Sequence, residues 1–355
     1  MTEGITREKK DKLLNELRLK RSVLKRGFNS NKKQKEAAKK RINEIEDELG
    51  RPKTDFAMRE AFDKTICEGK EYLRLKKYKK ALRIFDKAIK ICPRNFLGLE
   101  LKTDTLSRMR RFDEALDCND IALSNAPLNL RAWMQRIEIF NNMYNHVEVI
   151  SCCDKLLVAI QTKATENYSL LTGSIYKKML TYKMSALSKL GKLEEAKILA
   201  KEAVKLFPVD HRVLANCAAI YESLEEFEMA VKLFDSAIQN RRFPDWRYYH
   251  NKGVNLYYLH KYAEARKSFK RATEVLKTSR DSERPWLMLG VTALKTDKDY
   301  YFAIECFDKA LVVNPNYIRA YENKAYALEK LGYFNEAKLC YRLANEKSGR
   351  DITLV

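Results

Sequence analysis

Gly69, Tyr72, Ala81, Phe85, Ala88 and Pro93 occur together in one stretch of this chain, and Ala115, Ala122 and Pro127 repeat the second half of that stretch 34 residues later. A pattern that returns at so short a period permits few architectures. Each period is one small supersecondary unit that cannot bury its own apolar face, so the units must stack on one another. The offsets are helical: Tyr249, Gly253 and Leu256 fall on one helix face, as do Trp286 and Gly290. A second segment in each unit sets small residues around an aromatic one, Ala230 and Ala237 around Phe234 or Ala303 and Ala310 around Phe307, so that two helices can approach closely. Leu190-Gly191-Lys192 and Leu331-Gly332-Tyr333 read as turns within a unit, and prolines at 93, 127, 208 and 315 close units where no helix has to continue. The fold class is therefore all-α, with eight helix-turn-helix units starting near Phe62, Phe96, Leu130, Lys177, His211, Trp246, Glu283 and Ile318.

These residues at these offsets resemble the tetratricopeptide repeat (TPR). The resemblance implies a right-handed α-solenoid with a concave, ligand-binding groove. Units one and five to eight carry the pattern most fully. Unit two has Thr103 and Asn119 at its small and aromatic places, unit three has Ile137, Val149 and Cys153, and unit four has Met184 and Ala200. An insertion follows unit three. The expected organisation is a basic helical hairpin or coiled coil over 1–53, a first array of about three repeats over 54–160, and an irregular insertion or hinge over 161–176. A second array of about five repeats then covers 177–347, with a tail over 348–355.

The chain carries 69 Lys and Arg against 48 Asp and Glu, a net charge of +21, which points to an anionic partner. Ahead of the repeats, Leu13, Leu14, Leu17, Val23 and Leu24 form one narrow apolar stripe, and Ala38, Ile42, Ile45 and Leu49 form another. Gly27 to Asn31 separates the two, so a helical hairpin is predicted. Its basic block comprises Lys20, Arg21, Lys25, Arg26, Lys32, Lys33, Lys35, Lys39, Lys40 and Arg41, opposed within that stretch only by Glu36. Such a block can contact phosphates, or it can be the solvated face of a coiled coil. Phe28 is the one aromatic residue near it, which argues against sequence-specific reading of RNA.

In TPR proteins the second, fifth, ninth and twelfth residues of each unit's first helix tend to face the groove. Carried over, the second place holds Asp63, Leu97, Arg131, Lys178, Arg212, Arg247, Arg284 and Arg319, basic in six consecutive units. A cation in the first helical turn opposes the macrodipole by ~0.3–1 kcal/mol. Its recurrence points either to an anionic ligand or to pairing with acidic residues of the neighbouring unit. His250, Tyr257 and Tyr326 add amphipathic groups at neighbouring groove places. Clamping of a chaperone's C-terminal carboxylate, known in one TPR subgroup, is disfavoured by Ile66 and Lys70 where that subgroup has Lys and Asn, and by Gln135 in place of Arg.

No phosphate-cradling glycine loop, nucleophile elbow or metal-spaced histidine pair is present in the sequence, and the eight cysteines fall mostly on apolar helix faces. The expectation is a non-catalytic, cytoplasmic scaffold with no cofactor and no membrane span. It would hold an extended acidic segment of a partner protein in its groove. The alternative is an RNA- or ribosome-associated factor in which hairpin and groove form a phosphate-binding track.

Overall fold

A computed structural model describes residues 7–25, 32–48, 56–93, 95–164, 173–276 and 282–348. Among them are eighteen α-helices and no strand. Helices α1 (Arg7–Lys25) and α2 (Lys32–Glu48) form the hairpin. Sixteen helices follow in chain order, two to each sequence unit: α3 (Phe56–Arg74) and α4 (Tyr78–Ile91), α5 (Phe96–Arg108) and α6 (Phe112–Asn125), α7 (Leu130–Asn142) and α8 (His146–Ala164), and α9 (Ser174–Lys189) and α10 (Leu193–Leu206). The remaining pairs are α11 (His211–Ser223) with α12 (Phe227–Gln239), α13 (Trp246–Tyr258) with α14 (Tyr262–Val275), α15 (Arg284–Thr296) with α16 (Tyr300–Val313), and α17 (Ile318–Lys330) with α18 (Phe334–Ser348). Two first helices begin ahead of their expected starts, α3 at Phe56 rather than Phe62 and α9 at Ser174 rather than Lys177.

The chain forms two compact units, 1–139 and 140–355, divided within α7. In the second, each helix from α8 to α18 packs on its successor, which gives the stacking that the short period requires. Helix α8 runs on to Ala164 and α9 begins at Ser174, and half of the expected hinge, 165–172, lies outside the described residues.

The turn inside every pair is built alike. One residue takes the left-handed conformation: Lys76, Arg110, Tyr144, Gly191, Glu225, His260, Lys298 and Gly332, with φ between 53° and 83°. The next amide reaches back to close the helix, as in Lys77 N–H to Tyr72 O at 2.9 Å and Tyr333 N–H to Leu328 O at 2.9 Å. Only two of these eight positions are glycine, the residue that adopts this conformation without strain, so the turns are set by helix packing as much as by local preference. The pair α15–α16 differs: Asp299 N–H reaches back six residues to Ala293 O, one residue further than in the other turns.

Within a pair, the core rests on size complementarity. A Cβ added at Gly69 would lie 2.4 Å from Phe85 Cε1, one at Gly253 2.7 Å from Phe269 Cε1, and one at Gly290 2.5 Å from Phe307 Cε1. Each of these rings is fully buried. The units that depart from the repeat pattern change both places together. Met184 on α9 is accompanied by Ala200 on α10, and Thr103 on α5 by Asn119 on α6, all buried. Asn119 Nδ2 donates to Ala132 O at 2.9 Å and so ties its pair to α7. The weaker motif therefore still marks buried positions, although Thr103 Oγ1 and Asn119 Oδ1 lack hydrogen-bond partners there.

A second cationic column stitches neighbouring pairs. Lys102 bonds Asp86 at 2.7 Å, Lys183 bonds Asp154 at 2.5 Å, Lys252 bonds Asp235 at 2.6 Å and Lys324 bonds Asp308 at 2.5 Å, with Arg136 and Asp120 in the same relation. Part of the positive charge therefore serves stacking.

Candidate functional site

In the hairpin, Leu13, Leu17, Ile42 and Ile45 form the seam, with Phe56 packed against it. Of the basic block, Arg21 donates to Glu46 at 2.5 Å and Arg41 donates to both oxygens of Glu16, at 3.0 and 3.1 Å. Both are struts between α1 and α2. Lys39 lies 3.6 Å from Glu36 and 5.7 Å over the Phe56 ring. Lys20, Lys35 and Lys40 are partly or fully exposed. Arg26, and the side chains of Lys25, Lys32 and Lys33, lie outside what the structure describes.

The second-place cations Arg131, Lys178, Arg212, Arg247, Arg284 and Arg319 are all exposed, yet they differ in their partners. The expected penalty of a cation in the first turn is met locally by N-cap side chains. Asn129 accepts from the Arg131 amide, Asp210 from the Arg212 amide and Asp245 from the Arg247 amide, each at 3.0–3.1 Å. At α11 and α13 the cap is a carboxylate, which itself offsets the cation, so the column alone is not evidence of a ligand. Arg247 is doubly bonded to Asp245, at 3.0 and 2.7 Å. Burial opposes ionisation of Asp245, but Arg247 outweighs it and holds the carboxyl below the usual range. Arg131 bonds Glu100 of the preceding pair at 3.1 Å. There burial wins and raises the Glu100 pKa despite the guanidinium. Neighbour pairing therefore accounts for Arg131, and a cap pair accounts for Arg247. Among the described residues, no ion pair holds Arg212, Arg284 or Arg319.

His250, expected to grip a ligand, is instead 9% exposed, packed between Trp246 and Phe269. Its Nδ1 has no hydrogen-bond partner, and burial followed by the nearby Arg284 brings its pKa down to about 4. The imidazole is neutral at pH 7 and its edge contributes to a concavity. Tyr257 contributes to the same concavity and makes edge contacts to Tyr258 and Tyr262. Tyr326 is exposed, with Lys330 5.4 Å over its ring.

Two concavities lie on the first-helix face of the second unit. One, of about 480 Å³, sits between α9 and α11, where Lys177, Lys178 and Arg212 line it with Thr181, Tyr182 and Asn216. Asp210 is its acid, and Lys177 already occupies one oxygen at 2.5 Å. The other, of about 630 Å³, lies along α13, α15 and α17. Its lining is mixed: Val254, Leu287, Met288 and Val291 are the apolar side chains, and Glu283, Arg284 and Arg319 the charged ones. Val254, Leu287 and Val291 are the fifth and ninth groove places. Their places in the repeat are the signal in the sequence that marks them. Among the described residues, no group of three or more His, Cys, Asp or Glu could hold a metal ion, and no helix is long and apolar enough to cross a membrane.

The sequence model of the tetratricopeptide repeat family matches residues 68–95 and 318–346, the first and last helix pairs. A solved tetratricopeptide repeat protein from Parabacteroides merdae superposes with a TM-score of 0.53 over 80% of this chain and 99% of its own, at 14% identity. The chain is a tetratricopeptide-repeat protein. A chain of the APC/C hetero-tetramer Cut9–Hcn1 superposes on 88% of the TPR chain with a TM-score of 0.51 at 14% identity, and 57% of that chain is covered. YrrB, a TPR protein with an unusual peptide-binding site, matches 54% of this chain and 93% of its own, at 17% identity and a TM-score of 0.44. No curated protein matches the sequence. At these identities the structural likenesses establish the fold of the TPR chain, while its ligand follows from its own side chains.

Proposed function

We propose that the protein is a non-catalytic, cytoplasmic interaction scaffold whose second unit holds an extended acidic segment of a partner protein. The observation that carries this reading is the set Arg212, Arg284 and Arg319: exposed cations at groove places that no ion pair to a described residue neutralises, beside two concavities. Exposed charge pairs contribute ~0.2–1 kcal/mol each, so three cations fall short of the ~8 kcal/mol of a micromolar complex. The apolar side chains that share the larger concavity with Arg284 and Arg319, namely Val254, Leu287, Met288 and Val291, offer further contact area. The alternative phosphate-binding track is weakened by the hairpin, where Arg21 and Arg41 are tied to Glu46 and Glu16.

The test is fluorescence anisotropy with labelled acidic peptides, and with a single-stranded RNA of similar length, on the wild type and on Arg212→Ala/Arg284→Ala/Arg319→Ala. The expected result is peptide binding that the triple variant loses with its helical circular dichroism unchanged. Equal affinity in the two proteins defeats the reading. RNA binding with a steep salt slope, and no peptide binding, replaces it with the phosphate track.

A further inference from the structure

Every exposed residue of α4 is a cation: Lys79, Lys80, Arg83, Lys87 and Lys90. At ~3.6 residues per turn the five share an arc of roughly 100° and form a straight row ~17 Å long. The one acid of the helix, Asp86, is bonded to Lys102 of α5 at 2.7 Å. Among the described residues no ion pair holds any of the five, and Lys80 lies 5.9 Å over the Tyr72 ring. Every other second helix exposes at least one carboxylate. The row also works against the folding of α4. Lys90 suits the last turn, but Lys79 and Lys80 stand in the first turn against the macrodipole, and Lys77 at the N-cap makes no side-chain bond there. Like charges three and four residues apart, as in Lys79, Arg83, Lys87 and Lys90, repel one another.

We infer that this face of α4 binds the phosphate backbone of a nucleic-acid duplex. The contact lies on a second helix of the first compact unit and is independent of the groove reading above. The density of charge favours a polyphosphate over other anionic surfaces. A second copy of the chain would offer the acidic α6, but there Arg111 holds Glu114 and Arg136 holds Asp120, which leaves Asp113 and Asp117 to face five cations. An acidic segment of another protein would gain ~0.2–1 kcal/mol per exposed pair, short of the ~8 kcal/mol of a micromolar complex, and α4 exposes no apolar residue to add to it. An anionic bilayer attracts each cation by ~1 kcal/mol and likewise finds nothing apolar to take up. A nucleic acid needs no such anchor, because each neutralised phosphate releases condensed counterions and charge alone supplies affinity. No aromatic side chain is exposed on α4 to stack on an unpaired base, so the face suits a duplex better than a single strand. For the same reason the contact positions the duplex without reading its sequence.

The test is fluorescence anisotropy of the full chain with labelled DNA and RNA duplexes of about 20 base pairs and arbitrary sequence, between about 50 and about 200 mM salt. Five phosphate contacts on DNA give a log–log slope of about −4.5, which is about a 500-fold loss of affinity over that range. Lys80→Gln/Arg83→Gln/Lys87→Gln/Lys90→Gln should weaken binding at least about tenfold and flatten the slope by about 3.6. The positions are exposed and Gln is a good helix former, so helical circular dichroism should not change. Lys80→Arg/Lys87→Arg/Lys90→Arg keeps the charge and should bind as the wild type does. Lys201→Gln/Lys205→Gln/Lys267→Gln/Lys270→Gln removes the same charge from exposed places on α10 and α14 and should change the slope by less than about one. Equal weakening by the two Gln variants would reveal diffuse attraction to a basic chain and overturn the inference. Absence of duplex binding at low salt overturns it as well, as does binding that the α4 variant leaves intact. Two controls cover the other occupants: phosphatidylcholine vesicles with about 30% phosphatidylserine, and sedimentation velocity of the protein alone. Vesicle binding or a dimer that depends on α4, without duplex binding, replaces the inference. A preference between the DNA and RNA duplexes identifies which backbone is bound.

Discussion

Gly290→Ala isolates the packing rule on which the helix pairs rest. By helix propensity alone, replacing glycine in the interior of α15 should stabilise the protein by ~1 kcal/mol. The geometry opposes this. The new methyl would lie 2.5, 2.9 and 3.0 Å from Cε1, Cζ and Cδ1 of Phe307, whereas ordinary contact begins at 3.4 Å, so the ring must give way by about 1 Å. Phe307 is 0% exposed among Ala303, Ala310, Ala320 and Ala327, so the ring has no space to move into without shifting a helix. Overpacking of this kind costs ~1–3 kcal/mol, which at least cancels the propensity gain. Phe307→Leu should restore room, so the double variant should be more stable than the two single effects predict, with a coupling of ~1–2 kcal/mol. The assay is urea unfolding followed by circular dichroism, with hydrogen exchange of the α15 and α16 amides to localise the change, because repeat arrays do not always unfold in one step. Additive effects, or a clear stabilisation by Gly290→Ala, would refute the size-complementarity argument.

Three further outcomes concern the turns and a buried histidine. Tyr144 is 77% exposed in a left-handed turn at φ 58°, so Tyr144→Gly should raise the urea midpoint by up to ~1 kcal/mol of stability. Gly332→Ala, at φ 83° with nothing within 4 Å, should lower it by a similar ~1 kcal/mol. A reversed pair of signs would show that the turns do not hold this conformation. His250 titrates at about 4 when folded, against 6.5 for the free side chain, so the stability of its neutral form is complete above about pH 6.5 and is lost as pH falls to 4. The loss is on the order of 3 kcal/mol. His250→Gln should flatten the stability–pH curve between those limits, and an unchanged curve would place the titration elsewhere.

Much of the fold follows from residue type at a fixed spacing. A period of 34 residues, small residues opposite aromatics and turn signals between them fix paired helices, because no other arrangement buries each unit's apolar stripe. Six of the eight first helices begin within one residue of where the pattern placed them. The stitching column was also legible, as Asp86 and Lys102 or Asp120 and Arg136 recur at repeat spacing, although it took the structure to show that these charges meet. The candidate site was legible only as a list of positions. Six cations shared one column in the sequence, and only contact geometry separates Arg247, held by its own helix cap, and Arg131, held by Glu100, from Arg212, Arg284 and Arg319. His250 shows the same limit: its position marked it for the groove, while the packing of Trp246 and Phe269 buried it. Periodicity determines which face a side chain occupies, because that depends on the helix alone. Whether a charge on that face is free depends on neighbours brought in by folding, and the tertiary structure decides it.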